Sequence, residues 1–321
     1  MKIIGIGNAL TDLMTQIEND NMLTGFNLPK GSMQLVDAAT SQRVSDATKN
    51  LRRTLASGGS AANTIHGLAR LGMKTGFIGK VGKDDMGEFF EKDMIKSGIK
   101  THLIHSATPS GMALVLVSPD GERTFATYLG AACELEDTEI NDDVLKEYDI
   151  LHIEGYLVQN YRLITHAIKT AKEHGLRVSL DLASYNMVEE HRDFLSEIID
   201  LYADIVFANE DESKALTGLE PEESARYLSQ NVDIAVVKTG PKGSFVAMNG
   251  EVVAVPAKTV EPVDTTGAGD LYAAGFLYAL AKGKNAYECG RIGSMLAAEV
   301  ITNIGAKIPE DKWEQLVQLA K

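Results

Sequence analysis

The segment DTTGAGD, from Asp264 to Asp270, runs straight into the apolar stretch LYAAGFLYAL. Small residues at Gly267, Ala268 and Gly269 let backbone N–H groups approach an anion closely, and a helix opening there adds the positive end of its dipole. Such a turn stabilises developing phosphate charge without the lysine of a Walker loop. Asp270, in the first helical turn, stands where it can accept the proton of an attacking hydroxyl. Two other stretches have matching chemistry. In SGGSAANTIHGLARLG, residues 57–72, the pair Gly58-Gly59 allows close backbone approach, and the Asn63 amide can both donate to and accept from a sugar hydroxyl. Asp12 follows KIIGIG and the Gly7-Asn8 turn, and an ionised carboxylate there can accept from two vicinal hydroxyls. Taken alone, the 264–270 and 57–72 stretches are also compatible with ordinary helix entry, with Asp270, Thr266 and Asn63 near the caps.

Positioning these residues needs a scaffold, and the chain alternates two periodicities. KIIGIG, TGFIGKVG, DILHIEG, RVSLDLA, ADIVFAN and IAVVKTG are apolar runs bounded by turn signals, separated by segments of helical period such as 160–174 and 222–230. That alternation predicts an α/β fold with a mostly parallel sheet covered on both faces, in which ligands sit beyond the carboxyl ends of the strands. Two regions break the rhythm: 13–36, and 108–129 with its Pro119-Asp120-Gly121 turn. They read as hairpin strands of a small discontinuous lid, leaving 1–12, 37–107 and 130–321 as the core.

With 321 residues, 44% of them hydrophobic and 24% charged, the composition is that of an ordinary globular enzyme. A formal charge of −14 disfavours nucleic acid or an anionic membrane as partner. No apolar run approaches the roughly 20 residues of a membrane span, the start does not read as a signal peptide, and a cytoplasmic location is expected. Cys133 and Cys289 lie far apart without metal-ligand spacing and read as free thiols.

GGSAANTIHGLARLG, then GKVGKDDMG at 79–87, then DTTGAGD, resemble in order and spacing the signatures of the ribokinase and phosphofructokinase B (PfkB) family of carbohydrate and nucleoside kinases, nearly end to end. The resemblance implies a ribokinase-like three-layer α/β/α sandwich with a β lid, and transfer of the ATP γ-phosphate to a hydroxyl, usually a primary alcohol. It makes Asp270 the general base, the backbone of Gly267, Ala268 and Gly269 the anion hole, and Asp12, Gly58, Gly59 and Asn63 the acceptor ligands. Asn209 and Glu212 match an NxxE motif that organises Mg²⁺ and its waters. Lys238, Thr239 and Gly240, with Lys242 nearby, fall where the family's chain approaches ATP. Arg123 aligns with an arginine that adenosine kinases bring from the lid toward the phosphates. Asp264 and Thr266 resemble parts that hold a monovalent cation, K⁺, in some members.

GNALTD and ATYLGAACEL look more like the adenosine kinase side of the family, and Ser60 stands where ribokinases commonly carry lysine. Adenosine is therefore the expected acceptor, with ribose, fructose, 2-keto-3-deoxygluconate or a phosphosugar as the alternative; a homodimer through the lid is compatible with either. From another class, Gly5 and Gly7 fit the first two glycines of a dinucleotide-binding GxGxxG, but Leu10 fills the third position, which weakens an NAD-dependent oxidoreductase.

Overall fold

The computed structural model describes residues 1–321. In chain order the strands are β1 (Lys2–Ile6), β2 (Leu10–Gln16), β3 (Met33–Leu35), β4 (Arg53–Gly58), β5 (Lys74–Gly82), β6 (Lys100–Ser106), β7 (Gly111–Val117), β8 (Arg123–Tyr128), β9 (Ile150–Glu154), β10 (Arg177–Asp181), β11 (Ile205–Asn209), β12 (Ile234–Lys238), β13 (Ser244–Met248) and β14 (Glu251–Val255). They form a nine-stranded sheet ordered β14-β13-β12-β11-β10-β9-β1-β5-β6 and a five-stranded sheet ordered β3-β8-β7-β2-β4.

Seven neighbouring strands of the large sheet, β12 through β6, run parallel, and β13 and β14 close one edge as an antiparallel pair. The apolar runs in the sequence are long because both faces of these strands are covered. Ile3 packs into one layer with the helices Ser60–Arg70, Ala268–Ala281 and Ala286–Val300, while its neighbour Ile4 packs into the other with Tyr161–Glu173 and Arg192–Tyr202. This is the three-layer sandwich expected from the alternation. Helix Ala268–Ala281 is apolar nearly all round, since it lies between the sheet side and the helices Ser60–Arg70 and Ala286–Val300.

The small sheet is built from more of the chain than the sequence reading assigned to it. Residues 37–107 were placed in the core, yet β4 pairs antiparallel with β2, and helix Ala38–Thr48 buries Val44 against Leu114 and Leu116. β2 itself begins at Leu10, so Asp12 lies in the lid sheet and not in the core. The reason is that β4 is an edge strand with its first four residues partly exposed, so it lacks the apolar alternation that marks a half-buried strand.

Register places Leu10, Asp12, Ala113, Phe125, Thr127, Met33 and Leu35 on one face of the small sheet, and that face lines the cleft. Leu13, Leu114, Leu116 and Ala126 turn to the other face and form a separate apolar cluster under Val44. No helix is long and apolar enough to cross a membrane.

Candidate active site

A cleft of about 1230 Å³ opens between the small sheet and the carboxyl end of the large one. Its floor is the start of helix Ala268–Ala281. Gly267 caps that helix at φ 76°, and a Cβ there would lie 2.7 Å from the Ala306 side chain. Backbone conformation and close approach both require glycine. The N–H groups of Gly267, Gly269 and Asp270 find no acceptor within the protein, whereas that of Ala268 donates to the Thr265 carbonyl at 3.2 Å. The free donors of the cradle are therefore those of 267, 269 and 270. Ala268, assigned to the anion hole from sequence, has its amide turned into the loop.

Asp270 is gripped from the facing helix. Ser60 Oγ donates to Oδ1 at 2.7 Å, Asn63 Nδ2 donates to Oδ2 at 2.9 Å, and Thr64 Oγ1 donates to the Asp270 carbonyl at 3.1 Å. Burial pushes its pKa up to about 6, against the opposing pull of the Asn63 and Ser60 donors. Asn63 lines the cleft, and its Oδ1 is buried with no hydrogen-bond partner, an unused acceptor beside Asp270.

Asp12 sits across from this pair. Burial raises its pKa to about 7, with Lys307 pulling it down and Asp270 pushing it further up. Gly58 does not line the cleft. Its part is steric, since a Cβ there would meet Asp12 Oδ1 at 2.2 Å. Gly59, the one residue between β4 and helix Ser60–Arg70, has φ 98° and would bring a Cβ to 2.1 Å from the Asn8 carbonyl.

Several groups at this site carry no motif. Glu154, at the carboxyl end of β9, accepts from Asn8 N–H at 2.9 Å, Asn8 Nδ2 at 2.7 Å and Ala61 N–H at 2.8 Å, tying the β1–β2 turn to the start of the Ser60 helix. Burial lifts its carboxyl to about 7. Its place at a strand terminus was the available signal. Lys307, half-buried beside Ser57 Oγ at 3.2 Å, is brought down to about 8 by burial, with Asp93, Asp12 and Asp270 opposing. Ser60 was noted only for the lysine it replaces.

At the other end of the cleft, a Cβ at Gly269 would meet Lys238 Nζ at 3.2 Å, which sets this ammonium beside the cradle. Lys238 pairs with Asp181 at 3.0 Å; burial works against its charge, yet Asp181 and Glu212 hold its pKa above the ordinary lysine value. Gly240 lines the cleft, but Thr239 lines a separate, smaller cavity and Lys242 is exposed, 3.8 Å from Glu210. Asn209 and Glu212 face each other in a reciprocal capping box: Glu212 accepts from Asn209 N–H and Nδ2, both at 2.7 Å, and its own N–H donates to Asn209 Oδ1 at 2.8 Å. Burial raises Glu212 to about 7. No group of three or more His, Cys, Asp or Glu stands where it could hold a metal ion. Arg123 is not among the residues that line the cleft. Its guanidinium is paired with Asp264 and donates to Thr266 Oγ1 at 2.7 Å.

Residues 31–313 match the pfkB family of carbohydrate kinases. The chain is 32% identical to an uncharacterized sugar kinase of Archaeoglobus fulgidus, over 75% of this chain and 96% of that one. It is 30% identical to a 5-dehydro-2-deoxygluconokinase of Bacillus subtilis, over 82% of this chain and 86% of that one. The crystal structure of adenosine kinase from Sinorhizobium meliloti superposes with a TM-score of 0.88 at 33% identity, covering 100% of this chain and 99% of that one. Taken with a cradle of free amides beside a buried carboxylate, these likenesses make the chain a member of the pfkB family of carbohydrate kinases, a phosphotransferase with an alcohol as acceptor.

Proposed function

We propose that the chain transfers the γ-phosphate of ATP to the primary hydroxyl of a nucleoside, adenosine first among them. The observation that carries this reading is the apolar wall around the acceptor carboxylate. Leu10, Ala113, Leu129, Ala132, Leu135 and Leu157 line the cleft with Asp12. Its lysines, Lys238 and Lys258, lie elsewhere: Lys238 beside Gly269, and Lys258 3.9 Å from Glu299. Lys307, the cation that acts on Asp12, does not line the cleft and is already engaged with Ser57 Oγ and the charges of Asp93, Asp12 and Asp270. A sugar acid or phosphosugar would therefore bring an anion to a wall with no cation in its lining, whereas a purine buries its faces against aliphatic side chains at little desolvation cost.

Asp12 and the unpartnered Asn63 carbonyl bind ribose hydroxyls, and Asp270 takes the proton of the attacking one. With a pKa of about 6, Asp270 is mostly ionised at neutral pH and still basic enough to serve. The amides of Gly267, Gly269 and Asp270, with the Lys238 ammonium alongside, stabilise charge on the transferring group. Asn209 and Glu212 would hold the waters of an Mg²⁺ arriving with the nucleotide, whose charge would neutralise the phosphates.

The test is ADP release by the purified enzyme with adenosine, inosine, ribose, fructose, 2-keto-3-deoxygluconate and 5-dehydro-2-deoxygluconate. Adenosine is expected to give the highest kcat/KM. Faster turnover of either sugar acid would replace this reading with that of a sugar-acid kinase.

A further inference from the structure

Arg123 opens lid strand β8 on the face turned toward the cleft, and its guanidinium lies 6.0 Å from the Phe125 ring centroid. Its charge is spent on the core: it pairs with the Asp264 carboxylate, and Nη1 also donates to Thr266 Oγ1 at 2.7 Å. Asp264 is 1% exposed and Arg123 13%. The remaining capacity of Asp264 is taken by backbone donors, Thr266 N–H on Oδ1 at 2.6 Å and Gly305 N–H on Oδ2. These are the residues that the family resemblance offers to a monovalent cation, and the donor set does not fit one. Both oxygens of Asp264 already accept hydrogen bonds, the Thr266 hydroxyl already faces a cation, and a metal ion here would set a second positive charge against the guanidinium.

We propose that Arg123 is the built-in counter-ion of the Asp264–Thr266 loop, replacing a bound K⁺ with a positive charge carried by the lid. This rests on the kinase reading above and extends it. A carboxylate this buried is costly without a partner, so displacing the lid leaves Asp264 uncompensated and slackens the loop that carries Gly267 and Gly269. The cradle is braced while the lid is seated. Arg123 thereby acts as a positioning residue, through Asp264 and Thr266, and not by touching the phosphates.

The experiment compares wild-type enzyme and Arg123→Met in K⁺ and in choline at equal ionic strength, reading both kcat and Tm. Wild type is expected to show the same kcat and Tm in either salt. Arg123→Met is expected to lose about 10- to 100-fold in kcat in choline, the worth of a charge-assisted hydrogen bond. K⁺ should restore part of that loss and raise the Tm of the variant alone. Wild-type turnover that needs K⁺, or a variant as fast as wild type in choline, overturns the proposal. Should Arg123→Met fail to fold, the wild-type comparison decides alone: indifference to K⁺ supports it and activation by K⁺ overturns it. A wild-type enzyme that phosphorylates no alcohol defeats the kinase reading instead, and the Tm response to K⁺ still tests the counter-ion because it needs no turnover.

Discussion

The two sheets are held by different physics. The large one is sandwiched between clusters of 37 and 34 buried apolar residues, whereas the small one has a cluster of 8 on its outer face and a cleft on its inner face. Hydrophobic stabilisation scales with buried area, so the core is the rigid partner and the lid the yielding one. What fixes the lid against the core is largely polar: Arg123 on Asp264, and Lys307 beside Ser57. Ser57 in turn donates to Asp93 of helix Asp85–Lys96 at 2.6 Å.

The comparison is broken most sharply at the junction. Asp270→Asn is expected to lower kcat by about 10² to 10⁴, the range of a positioned base, with Tm and ADP binding little changed. Near-normal turnover would remove Asp270 from the chemistry. In the core, Phe276→Ala should cost about 3–5 kcal/mol in chemical denaturation, because Phe276 is fully buried and meets Phe207 edge-on at 5.3 Å.

Within the lid, Leu114→Ala should cost about 2–5 kcal/mol locally, and its signature should differ. Protease cutting in the 10–58 and 111–128 strands and a raised acceptor KM should appear before the main unfolding transition moves. If Leu114→Ala instead lowers the global transition as Phe276→Ala does, lid and core are one cooperative unit. Gly58→Ala is subtler still. Its Cβ would displace the Asp12 carboxylate, so acceptor KM should rise about tenfold or more, with ATP affinity unchanged by nucleotide titration.

Acid should act on the interface of the two regions. Asp12 at about 7 and Asp270 at about 6 are both raised by burial, so both gain protons earlier than exposed carboxylates as pH falls. Ionised carboxylates are the active forms in the proposed scheme. kcat/KM for the acceptor should therefore be maximal above about pH 7, decline through the first titration, and steepen below about pH 6. A flat profile down to pH 5 would contradict the buried setting of both groups.

Much of the core was legible in the sequence because parallel strands buried on both faces write continuous apolar runs, as DILHIEG and ADIVFAN do. DTTGAGD was legible for a similar reason: glycine at 267 answers to a backbone requirement that no other residue meets, and its neighbours follow in one short segment. β4 was not, because an exposed edge strand has no compelling pattern. The grip on Asp270 was only half visible, since Ser60 lies 210 positions away and its hydroxyl says nothing of its target. Lys307 was invisible for the same cause, and Glu154 offered only its place at the end of β9. Buried polar pairs depend on where the fold sends a side chain, and local pattern carries no record of that. Arg123 was singled out, yet its partner was not, because an ion pair across two sheets is a property of their docking.

The short passage from lid to core at Gly59 has a mechanical result. β4 ends at Gly58 and the helix bearing Ser60 and Asn63 starts directly after, so tilting the small sheet applies torque to the first turn of that helix. Both hydroxyl and amide that clasp the Asp270 carboxylate ride on this turn. In the proposed scheme, a swivel of the small sheet would thus gear admission of the acceptor to the basicity of Asp270, and an enzyme standing agape would have its base out of tune.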